Sequence, residues 1–246
     1  MPDDDIGTLI ARMRADLDGL KDARRFFHAT YLRTTIAVAA EIDRGGFTDN
    51  AWASRWDLAF AELYVDALNA DRRGEPVSGP WRIAFDAARE QPDIPPLRHV
   101  LVGLNAHINF DLPQALLAVI SPADFDDPNV LRSRQADHRH VDTVLQARVG
   151  AEDDELNAIS TSSLLDRLLR PANRTATRRF LAEARAKVWR NAVVLDRARR
   201  SGAGTYAAAL AMLEEQATDR VRDLTRPGYV LIRLARKGFG VLIPGA

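Results

Sequence analysis

Every long segment of this chain repeats its apolar residues at intervals of three and four, and none alternates apolar with polar over several residues. That period belongs to the α-helix and not to the strand. Ile6, Leu9, Ile10, Met13, Leu17 and Leu20 set it near the start, and Trp52, Trp56, Phe60, Leu63, Tyr64 and Leu68 continue it. Gly45-Gly46, Ser201-Gly202-Ala203-Gly204 and Arg226-Pro227-Gly228 punctuate the helices, as glycine does after a helix end and proline where a helix cannot continue. The expectation is an all-α fold, a single multi-helix bundle over residues 1–246. No repeat or low-complexity linker divides it.

Helices are expected over 4–22, 24–44, from a Thr48 cap to about Leu68, and over Trp81–Glu90. A central helix follows from the proline-rich loop at 91–96 through to Ile120. Further helices are expected from Val130 to Val149, from the acidic segment AEDDE, over Thr161–Leu169, from Pro171 to Arg200 with Phe180 facing inward, and over Tyr206–Leu224. The last residues read as a short helix and an apolar tail.

The charge balance excludes some functions. Lysine plus arginine and aspartate plus glutamate both number 34, so no net field gathers nucleic acid or an anionic membrane. The arginine-rich helix ends do not form one basic run and are expected to be solvated. The absence of cysteine removes disulfides, thiolate metal sites and a cysteine nucleophile. No run reaches the roughly 18 apolar residues of a membrane span, and the acidic start lacks the basic region of a secretory signal. A cytoplasmic location is the expectation, with no nucleic-acid or membrane partner. Oligomeric state is not legible.

Chemistry is expected at HVLVGLNAHINFDLPQAL, residues 99–116. His99, Asn105, His107, Asn109 and Asp111 interrupt an apolar run there, and the chain has only 5 histidines. Polar groups carried into an apolar helix cost several kcal/mol unless something satisfies them. Pro113 denies the carbonyl of Asn109 its helical donor, and Gly103 leaves space on the strip between His99 and His107. His107 and Asp111 stand four residues apart, which on a helix sets their Cβ atoms about 5–6 Å from one another. His138 and Asp142 repeat the spacing on a later helix.

Two such pairs on neighbouring walls would suit a divalent ion (Zn, Mn or Fe) held by His107, Asp111, His138 and Asp142, with Asp57, Glu62 and Asp66 as further oxygens. Without metal, His107 and Asp111 would form an acid–base couple, joined by His28 and Tyr31 as proton-transfer partners. His99, Asn105 and Asn109 would bind the ligand, and His140 is expected to be solvated. Two readings follow. One is an enzyme acting on a small molecule by metal-assisted hydrolysis or His–Asp acid–base chemistry. The other is a non-catalytic helical module binding a ligand or protein, its histidines satisfied in the core.

NAHINFDLPQAL at 105–116, ADHRHVDTVL at 136–145 and VWRNAV at 188–193 resemble a bacterial family of all-helical proteins of unknown function. The resemblance implies a helical fold and transfers no catalytic residue. A weaker, local likeness links His107, Asp111 and Gln114 to the metal box of the zinc-dependent helical nucleases and phospholipases C. The histidine-dense remainder of that trinuclear site is missing, so this likeness implies at most one or two metals.

Overall fold

The computed structural model describes residues 5–245 apart from 92, 160–163 and 229; within 146–178, and at 180, 231, 232 and 235, the description is of the backbone, Arg179 being described in full. Among the described residues there are helices and no strand. In order they are α1 (Ile6–Gly19), α2 (Arg24–Asp43), α3 (Asn50–Arg72), α4 (Gly79–Glu90) and α5 (Pro96–Ala106). A π-helical segment, His107–Asp111, joins α5 to α6 (Leu112–Val119). Then come α7 (Pro122–Asp126), α8 (Pro128–Ile159), α9 (Leu164–Arg200), α10 (Ala203–Thr225) and α11 (Val230–Lys237). All of them pack around one apolar interior. None is long and apolar enough to cross a membrane.

The helix ends follow local chemistry. Asp5 caps α1 by accepting from the backbone N–H of Thr8 at 2.7 Å. The cap of α3 is Asp49, one residue beyond the expected Thr48, and it accepts from Trp52 N–H at 2.9 Å. Buried Asp137 of α8 takes the two preceding amides, those of Thr48 (2.6 Å) and Asp49 (3.0 Å), and so ties α8 to the start of α3. Two expected breaks are absent: α8 continues past Gly150, and α9 runs through Pro171. A proline removes a single hydrogen bond from a helix, a loss that 37 helical residues carry. The expected start at Thr161 and the inward face of Phe180 lie outside the described residues.

The central helix does pass through its proline, by widening. In a straight α-helix the ring of Pro113 would meet the carbonyl of Asn109, four residues earlier. The π turn relieves that contact: Leu112 N–H reaches back five residues to His107, and Gln114 gives its side-chain amide to the carbonyl of Phe110 at 2.8 Å. Such single π turns inside α-helices gather at functional sites. Gly103, upstream, makes room for a neighbour and not for a ligand, since a Cβ there would lie 2.4 Å from the ring of Phe27.

The back of this helix is finished by the far end of the chain. Residues 239–243 form an extended tail with Phe239, Val241 and Ile243 buried. No strand pairs with it; side chains supply the ladder. Asn105 and Asn109 both donate to the carbonyl of Phe239 (2.9 and 3.0 Å), and Asn109 accepts from Val241 N–H at 3.1 Å. Asn191 of α9 repeats the two-way grip one step on, to the carbonyl of Val241 and the N–H of Ile243. Glu183 takes the amides of Phe239 and Gly240.

Asn109→Ala therefore strands the buried N–H of Val241, while Asn105 still donates to the carbonyl of Phe239. It is expected to lower the unfolding free energy by about 1–3 kcal/mol without loss of helical circular dichroism, as read in urea titrations of the two proteins.

Candidate functional site

The site grows from the π segment. The His107 ring presents Nδ1 to Asp111 Oδ2 at 2.8 Å, and the same oxygen accepts the indole N–H of Trp81, from α4, at 2.9 Å. Both His107 and Asp111 are buried. Burial pushes the imidazole down and the carboxyl up, and the pairing opposes each shift. A carboxylate that accepts at Nδ1 fixes the tautomer with the proton on that atom and leaves Nε2 as a lone pair. Nε2 of His107 is buried and has no hydrogen-bond partner. The ring lies flat against Phe60, with centroids 3.6 Å apart, and Tyr31 meets it edge-on at 4.5 Å.

His107 forms part of the wall of a cavity enclosed by α2, α3, α5, α8 and α9. The cavity gives the centres of water-sized molecules about 50 Å³, several times the 10–15 Å³ that one water requires. Val38, Phe60, Leu104, Ile108, Leu145 and Leu181 make most of the wall apolar; Tyr31, Trp56, Asp57 and Arg185 bring polar groups to it. The hydroxyl of Tyr31, the indole nitrogen of Trp56 and Oδ2 of Asp57 are all buried without a partner. Orphaned polar atoms cost about 1–3 kcal/mol each, and four of them around one cavity call for a bound molecule, water or ligand, to satisfy them.

The charges there are perturbed. Burial alone raises Asp57 to about 7. Burial, with the nearby Asp57 and Asp111 carboxyls, lifts Tyr31 well above a usual phenol. Arg185, 3% exposed, is pulled down by burial and held charged by Asp142. Its Nε pairs with Asp142 and its Nη2 with the backbone carbonyl of His138.

The expected metal ligands are not brought together. Asp111 is turned to His107 and Trp81, and Asp142 to Arg185. His138, its pKa driven well down by burial and then by Arg185 and Arg139, packs on Trp56 and Trp189. Among the described residues no three His, Asp or Glu side chains gather as a metal would require. Glu62 pairs with Arg12 and Asp66 is exposed, so of the three α3 carboxylates only Asp57 enters the wall.

Tyr31 reaches the cavity, but His28 does not accompany it. His28 is fully buried, its Nε2 2.7 Å from the carbonyl of Met13 and its Nδ1 2.8 Å from the Tyr64 hydroxyl. That satisfies both nitrogens and leaves no lone pair for a substrate. Asn105 and Asn109 are spent on the tail. His99 stacks on Phe26 and faces a smaller space behind Trp81 and Tyr64, its Nε2 unpaired. His140 is half-buried against Glu41 at 2.8 Å, not solvated.

A family model described as a family of unknown function, DUF5995, matches residues 6–227. The chain belongs to the DUF5995 family. No curated protein and no solved structure matches it. The DUF5995 match takes in the whole cavity wall and stops short of the tail at 239–243.

The sequence marks Asp57 only as a further metal oxygen and Trp56 only as part of an apolar face, and does not single out Arg185, yet each sits on the inward stripe of its helix. Asp57 falls in register with Ala53, Ala61, Tyr64 and Leu68, and Arg185 with Leu181, Val188, Ala192 and Leu195. A charge on an apolar stripe was the available signal.

Asp57 carries a stability signature. Because its folded pKa lies above that of the unfolded chain, the native state holds the extra proton between about pH 4 and 7. Its ionisation therefore destabilises the fold progressively across that window. Asp57→Asn is expected to match wild type at pH 4 and to exceed it above pH 7 by up to about 4 kcal/mol, at 1.36 kcal/mol per pKa unit. Denaturant unfolding at both pH values reads the difference.

Proposed function

We propose that the cavity is the active site of an enzyme that performs general acid–base chemistry on a small, largely apolar molecule, with His107 as the base. The observation that carries this reading is the asymmetry of the imidazole. One nitrogen is locked by a buried carboxylate, itself oriented by Trp81, while the other is buried without a partner on a residue of the cavity wall. His28 has both nitrogens matched; His99 and His138 also bury an unpaired Nε2, and what sets His107 apart from them is the buried carboxylate on its other nitrogen.

In this scheme Nε2 of His107 takes a proton from the bound molecule. The buried negative charge of Asp111 stabilises the imidazolium that forms, and Trp81 keeps that carboxylate in line. Tyr31, held as a neutral phenol, donates to an oxygen or nitrogen of the same molecule. The apolar walls exclude water and take up the hydrocarbon portion. Metal-assisted hydrolysis, the other route the sequence suggests, draws no support from the donor set, because Asp111 and Asp142 are already engaged.

Nitrogen-15 NMR of labelled protein tests the base directly. His107 is expected as a neutral ring protonated at Nδ1 at pH 7, with its titration displaced below that of a free histidine. A ring protonated at Nε2, or charged at pH 7, would sink the proposal. In a screen of small apolar esters, amides and amines, His107→Gln is expected to lower kcat by roughly 10²–10⁴-fold, the range for loss of a general base, with KM little changed. Equal turnover by wild type and variant would count against it. A ligand bound equally by both proteins and consumed by neither would favour binding without chemistry.

A further inference from the structure

Among the described residues Asp57 is an acid without a counter-ion. It is 8% exposed and its Oδ2 is buried and unbonded; no cation offsets the effect of burial on it. Every other charge at the wall is answered. Arg185 is matched by Asp142 and by the carbonyl of His138. Asp111 is matched by two N–H donors. His107 and His138 are held neutral by burial, and Tyr31 stays a phenol. Among the described residues the cavity therefore has a cation that already holds a carboxylate and a carboxyl group that holds no cation, so the charge it lacks is positive.

The surroundings of that carboxyl suit a cation as well. Trp56 and Phe60 line the same wall from α3; the Arg185 guanidinium already sits over the Trp56 ring at 5.7 Å, the His107 ring covers one face of Phe60, and Tyr31 meets Phe60 edge-on at 6.0 Å. Aromatic rings attract ammonium groups, more strongly when water is excluded. An ammonium N–H is also the donor that a bare carboxylate oxygen wants. Beyond the rings the wall is Val38, Leu104, Ile108 and Leu145, where a hydrocarbon chain loses its water.

We infer that the cavity takes a small apolar primary amine in its ammonium form, anchored by Asp57. This rests on the reading of the cavity as the site that His107 serves, and gives it a substrate class. His107 Nε2 and the Tyr31 hydroxyl are then the groups left to act on the bound amine.

Calorimetric titration with hexylamine, hexan-1-ol and hexanoate, probes of equal length and different charge, provides the test. At pH 8 hexylamine is expected to bind at least tenfold more tightly than hexan-1-ol, with hexanoate weakest. Asp57 must ionise to receive the amine, so hexylamine affinity is expected to rise about tenfold from pH 6 to pH 8. At pH 6 the binding heat is expected to vary with buffer, reporting a released proton. Asp57→Asn, which keeps shape and removes charge, is expected to bring hexylamine down to the affinity of hexan-1-ol while circular dichroism confirms the fold.

Tightest binding of hexanoate would name Arg185 as the anchor and overturn the inference. So would an amine preference that survives in Asp57→Asn, or no measurable binding of hexylamine. The two proposals fail separately. Hexylamine binding that persists in His107→Gln, alongside an Nε2-protonated ring in the wild type, would keep the anchor and remove the base. A correctly protonated His107 without amine preference would do the reverse.

Discussion

One carboxylate oxygen, Oδ2 of Asp111, accepts from an imidazole and an indole in a place that water does not reach. A single buried carboxylate there would cost several kcal/mol. Two donors from different helices make it tolerable and fix their own positions in doing so. Trp81 is thereby locked to the π segment, α4 to α5, and the His107 ring to the face of Phe60 on α3. The cavity has its shape because that junction has only one arrangement that leaves Asp111 satisfied.

The interior divides its polar groups into two kinds. His28, Asn105, Asn109, Asn191 and Asp137 are used to hold helices, a cap and a tail together, and their hydrogen-bonding atoms are nearly all matched. Tyr31, Trp56, Asp57 and His107 end in atoms that are not. The first kind rigidifies a bundle of separately curved helices. The four of the second kind share one cavity, while His99 and His138 bury an unpaired Nε2 outside its wall; unmatched groups of this kind are set against stability.

The helical class and the burial of polar residues at 99–116 were legible, because period and misplaced polarity are properties of the sequence itself. So was the His107–Asp111 pair, which needs only one helix to form. The roles of Asn105 and Asn109 were not, since their partners lie more than a hundred residues away, in a tail whose sequence shows only that it is apolar. His138 and Asp142 shared the spacing of His107 and Asp111 but not their surroundings. Arg185, arriving from α9, claimed Asp142 and the carbonyl of His138. Composition made Arg185 look like one more solvated arginine, and only its phase on the α9 stripe says otherwise. Arg199 also departs from that expectation, donating to the carbonyls of Leu117 and Ile120 at the end of α6.

The tail has a bearing on how the protein comes into being. Translation delivers the chain from its amino end, so the asparagines of the central helix leave the ribosome more than 130 residues before Phe239 and Val241. Until then one flank of that helix has its amides facing an empty trough. Helices α1 to α4 can gather early through neighbouring contacts, but the hydrogen-bonded state of the central helix waits for the last few residues to be made. Closing contacts of such long sequence separation is slow. The segment proposed to bear the chemistry thus depends on residues made 130 or more positions after it.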